Sequence, residues 1–125
     1  MVVGKFSLNG KIVDVTGAGS GINLAFAKSA EAQGAKSIIA DLRLAEDAQQ
    51  FVAQTQCNYT VVFVRCDVTR RADLEDLVVQ SEKQWGDVSD VYVTGAGAFE
   101  PDWSSFWDDT EDDGYKQVEI NVNHP

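Results

Sequence analysis

The stretch "KIVDVTGAGSGIN" (Lys11 to Asn23) decides how this chain is read. Its first six residues form the β-branched, apolar run of a buried strand, interrupted by one carboxylate, Asp14. A turn containing Gly17, Gly19 and Gly21 follows, and from Ile22 to Gln33 apolar residues recur at helical spacing. A strand, a glycine turn and a helix in that order aim the helix's unpaired N–H groups at whatever lies above the turn. That arrangement suits an anion.

Working outward, the same alternation continues: "KSIIAD", a helical segment Ala45 to Gln54, "YTVVFVRCD", a second one from Ala72 to Trp85, and "DVYVTGA". The pattern is β-α-β-α-β-α-β. Gly34 and Gly86 stand just past two helical segments, where a left-handed position favours glycine. Helices of this length between strands require right-handed crossovers and a parallel sheet buried on both faces. The expected fold is a Rossmann-like three-layer α/β/α arrangement, with a truncated parallel sheet of about four strands in the order 3-2-1-4. Residues 1–125 read as a single domain. From Ala98 the pattern gives way to "FEPDWSSFWDDTEDDG", whose acidic cluster Asp108 to Asp113 reads as a solvated loop, and "YKQVEINVNHP" reads as one more helix starting.

With 125 residues, 44% of them hydrophobic, there is material for one core. Twenty acidic side chains against ten basic ones give a formal charge of -10, which repels phosphate backbones and anionic membrane surfaces. Neither nucleic acid nor a membrane is expected as a partner. "MVVGKFSLNG" lacks the apolar segment of a signal peptide, and Cys57 and Cys66 read as ordinary thiols of a reducing compartment rather than metal ligands, so a cytoplasmic location is expected.

At the end of the second strand, twenty residues after Gly21, stands Asp41. A carboxylate there can accept hydrogen bonds from an adenosine ribose and repel a 2'-phosphate, so the spacing favours NAD over NADP. The turn departs from GxGxxG, because Ile22 stands three residues after Gly19.

Together these residues resemble the short-chain dehydrogenases/reductases. Thr16-Gly17-x-x-x-Gly21-Ile22 is similar to the family's TGxxxGIG loop, and Asp67 and Val68 of "CDVT" to its adenine-contacting pair. "VTGAG" (Val93 to Gly97) stands where the family has NNAG. "SGINLAFAK", "IADLRL", "GAFEPDW" and "INVNHP" look most like fungal members of the branch related to 15-hydroxyprostaglandin dehydrogenase. The resemblance implies a cofactor site made of Gly17, Gly19, Ser20, Gly21, Ile22, Asp41, Asp67, Val68, Gly95, Ala96 and Gly97, with Asn121 matching the catalytic-tetrad asparagine.

The chain also departs from the family. Its three tyrosines are followed at Tyr-x-x-x-Lys spacing by Phe63, Ala96 and Glu119, and the segment that would carry serine, tyrosine and lysine lies beyond Pro125. Asn23 replaces the last loop glycine and Gly95 the second asparagine of NNAG, which removes a side chain tying that loop to the sheet. These departures favour a shortened descendant that binds or transforms a small molecule in fungal secondary metabolism by a non-redox route, such as an isomerase, cyclase or dehydratase. Its candidate catalytic residues are Asn121, His124 and Asp14. The alternative is an NAD-dependent oxidoreductase fragment or subunit holding the adenosine half of NAD. Weak NAD binding at most is expected, and no metal. The fourth strand presents an apolar edge, so a homo-oligomer is expected, formed through that edge and the aromatic stretch Phe99 to Trp107.

Overall fold

The computed structural model describes residues 4–98, 107 and 116–123. Strands β1 (Ile12–Thr16), β2 (Lys36–Asp41), β3 (Val61–Arg65) and β4 (Val91–Val93) form one parallel sheet in the order β3-β2-β1-β4. They alternate with helices α1 (Gly21–Ala32), α2 (Glu46–Thr55) and α3 (Arg71–Trp85). The Rossmann-like class and strand order expected from the sequence are those observed.

Burial explains why the strands read as near-continuous apolar runs: all five residues of β1 and the middle four of β2 are buried. α1 buries Leu24, Ala27 and Ala30, and α2 buries Ala48 and Phe51, in one cluster with Val13, Val15 and Ile39. On the opposite face, Leu77 of α3 packs with Ile38, Ala40, Val64 and Cys66. Truncating Leu24 or Leu77 to alanine would cost about 2–5 kcal/mol, the usual range for a buried leucine.

Two strands are shorter than the sequence pattern indicates. β3 begins at Val61 because Tyr59, at φ 53°, is left-handed and closes the 3-10 turn Gln56–Asn58. Its carbonyl accepts the Trp85 indole N–H at 2.8 Å, which anchors the end of α3. β4 stops at Val93 because the Thr16 hydroxyl accepts the N–H groups of Gly95 (3.0 Å) and Ala96 (3.2 Å), drawing the chain off the ladder. The crossovers through α1 and α2 step one way along the sheet, and the one through α3 returns past β1 to β4. The loops after β1 and β4 therefore part at a topological switch point, where open α/β sheets form their ligand crevice. The terminal segment is helical from residue 116 and opens into the π-type turn Glu119–Asn123.

Candidate functional site

A cleft of about 990 Å³ lies at this switch point. Its walls include Gly17, Gly19, Ser20, Gly21, Ile22, Asp41, Asp67, Val68, Gly95, Ala96 and Gly97, every residue of the cofactor set implied by the resemblance. Its size falls within the range of small-molecule sites.

The glycine turn is shaped by what surrounds it. Gly17 has φ +68°, and a Cβ there would lie 2.7 Å from Ala96 Cα and 2.8 Å from Ala96 N, so any side chain would force the β1 and β4 loops apart. A Cβ on Gly19 would run into the Arg43 carbonyl and lie 2.7 Å from Asp41 Oδ2. The turn is thus pressed against both neighbouring loops by bare backbone. Ser20, the residue before α1, makes no side-chain capping bond, so no serine hydroxyl competes for the amides that open the helix.

Asp41 closes the rim at the end of β2. Its Oδ2 accepts the Gly19 N–H at 2.9 Å and its Oδ1 accepts the Leu42 N–H at 2.7 Å, while Ala45 N–H donates to the Gly19 carbonyl at 2.9 Å. The carboxylate therefore holds the turn from below the cleft and presents its remaining lone pairs to it. After β3, Asp67 Oδ1 accepts both the Thr69 N–H (3.0 Å) and the Thr69 hydroxyl (2.6 Å), and these bonds hold the carboxyl below its usual range. A fixed anion results at the β3 end of the cleft. Cys66 also lines the cleft, and burial, reinforced by Asp73, Asp67, Asp76 and Asp41, pushes its thiol up to about 11. It is a neutral wall rather than a nucleophile. Among the described lining residues Arg43 is the one cation.

The two described candidate catalytic residues, Asn121 and Asp14, are not brought together. Asn121 sits in the π-type turn and grips the backbone of a single residue: its Oδ1 accepts the Ala98 N–H at 2.7 Å and its Nδ2 donates to the Ala98 carbonyl at 2.6 Å. Asp14 is 1% exposed within β1 and lines no part of the cleft. His124 lies outside the described residues, as does the aromatic stretch apart from Trp107.

With no side chain at Gly95, other groups hold the β4 loop to the sheet. Thr16 supplies that tie through its hydroxyl, and Asn23 Nδ2 donates to the Gly95 carbonyl at 2.7 Å. The signal lay in the two departures, at positions 23 and 95, but 72 residues of separation hid that they meet.

Comparison with known proteins agrees with this geometry. A family model described as short chain dehydrogenase matches residues 11–124. The D-beta-hydroxybutyrate dehydrogenase of Cupriavidus necator is 36% identical over 90 residues, covering 72% of this chain and 34% of that protein. LigO from Sphingobium sp. strain SYK-6, solved in its apo form, superposes with a TM-score of 0.79 at 35% identity, covering 96% of this chain and 44% of the other. A short chain dehydrogenase/reductase from Burkholderia phymatum, solved in complex with NAD, gives 0.74 at 29% identity, covering 94% and 41%. The chain spans between about a third and a half of the length of such curated relatives, from 30% to 48%.

Proposed function

The chain belongs to the short-chain dehydrogenase family, and from that premise we propose that it is the dinucleotide-binding half of an NAD-dependent oxidoreductase, holding the cofactor by its adenosine and pyrophosphate. The observation that carries this reading is the Asp41 carboxylate, fixed by the Gly19 and Leu42 N–H groups at the rim of a glycine-walled cleft. That cradle fits the group: side chains at Gly17 or Gly19 would collide with the loops that flank and shape it, and the turn's backbone and the amides opening α1 suit a pyrophosphate. Asp41 would accept the ribose hydroxyls and repel a 2'-phosphate, and Asp67 with Val68 would border the adenine. Once bound, the nicotinamide group supplies hydride transfer.

The non-redox reading has less support. Asn23 and Gly95 act jointly within the same cleft, and Asp14 is sealed inside β1, so none of the three argues for a converted site. The matched relatives carry dehydrogenase names. The substrate proposed is a small alcohol or ketone, and the free thiols Cys57 and Cys66 accord with a reducing, cytoplasmic setting. Because the described cleft serves adenosine and pyrophosphate, affinity for NAD is expected at about 1 μM or weaker, no more than about 8 kcal/mol. ADP-ribose should then bind as well as NAD. Replacing Asp41 by alanine should weaken both and relax discrimination against NADP, measured by calorimetric titration; an unchanged preference removes Asp41 from the site.

A further inference from the structure

We infer that Asn23 is a positioning residue of this cleft: its side-chain amide ties the turn after β1 to the loop after β4 and fills the space that a side chain at position 95 would take. The inference rests on the proposed function for its ligand and deepens it. Asn23 Nδ2 donates to the Gly95 carbonyl at 2.7 Å and the Gly17 carbonyl at 3.3 Å, so one amide group bridges the two loops that form the switch-point walls. A Cβ on Gly95 would lie 2.5 Å from Asn23 Cγ and 2.6 Å from Nδ2. A side chain at 95 would therefore have to displace the Asn23 amide from this bridge.

Gly95 is gripped from two sides. Thr16 Oγ1 of β1 accepts its N–H at 3.0 Å, while Asn23 of α1 takes its carbonyl. Below this grip, Gly17 meets Ala96 backbone to backbone. The resembled pattern has glycine at position 23 and asparagine at 95, and this chain carries the reverse. The two departures are one change seen from both sides: a single amide and a single gap have exchanged places across facing loops. The third glycine of a dinucleotide turn ordinarily permits close packing of the helix. Here that closeness is kept by removing the side chain from the opposite loop. Loosening the bridge would let the turn, with the amides that meet a pyrophosphate, drift from the β4 loop.

The test uses the variants Asn23→Gly, Gly95→Asn and the double exchange, titrated with ADP-ribose below their melting temperatures so that affinity is read apart from folding. Each single variant should bind about tenfold more weakly, the loss expected when one or two hydrogen bonds go and a gap or clash replaces them. The double exchange should return to within about threefold of the parent, a coupling that facing residues show and independent ones do not. Additive losses overturn the inference. If the parent does not bind ADP-ribose, the proposed function fails, and the same exchange read by thermal midpoint still decides the bridge, with recovery in the double variant expected and additivity overturning it. If Gly95→Asn does not fold, Asn23→Asp decides: it sets an oxygen where the amide donates to two carbonyls, so affinity and midpoint should both fall, and unchanged values overturn the inference.

Discussion

Replacing Asp14 by asparagine should stabilise the protein at neutral pH, by an amount that vanishes in acid. Asp14 is 1% exposed in the middle of β1, between Ile38 and Tyr92 on neighbouring strands, and neither carboxylate oxygen has a hydrogen-bond partner. Burial pushes its pKa up from the ordinary 3.8 to about 6, and the nearby Ser89 hydroxyl opposes the shift without completing a hydrogen bond. Between those two values the folded chain holds a proton that the unfolded chain has released. Stability therefore falls as pH rises through that window, with no penalty below 3.8 and the full penalty above about 6. At about 1.4 kcal/mol for each pKa unit, the ionised carboxylate costs about 3 kcal/mol. An amide at this position cannot ionise, so the Asp14→Asn variant should gain about 3 kcal/mol at pH 8, of the order of 10 °C in Tm, and match the parent near pH 4. Thermal melts of both chains from pH 4 to 8 check this, and their difference cancels the titration of the other carboxylates. A gap independent of pH, or a variant less stable at pH 8, would refute the reasoning by showing that the carboxylate is compensated.

The two cysteines should separate under a thiol reagent at pH 7.5: exposed Cys57 should react at the rate of a free thiol, while Cys66, buried and pushed up to about 11, should stay unmodified until unfolding, as read by mass spectrometry. Equal rates would contradict the burial of the cleft wall. Among the described residues β4 pairs with β1 alone and Tyr92 is 50% exposed, so a second copy of the chain is proposed to cover that edge. Sedimentation at low micromolar concentration should show a dimer, and a stable monomer would contradict it.

The fold was legible because β1 and β2 are buried on both faces, so their apolar runs and the glycines after α1 and α3 leave a clear trace. The ends of β3 and β4 were not, since they depend on the left-handed Tyr59 and on the Thr16 hydroxyl, contacts that no local pattern encodes. Within the site, the glycines and Asp41 were legible because their spacing follows from the strand-turn-helix geometry. Asn23 and Gly95 each looked like damage when read singly. They make sense only as a pair, across a contact that the parallel sheet creates. Asn121 likewise matched a catalytic position by sequence, but its visible work is to hold Ala98.

The most direct test of the central claim is a calorimetric titration of the chain with NAD and, under the same conditions, with NADP. Saturable binding of NAD at one site per chain, with NADP at least about tenfold weaker, is the result that the Asp41 rim predicts. No binding of NAD at millimolar concentration, or equal binding of the two, would contradict it.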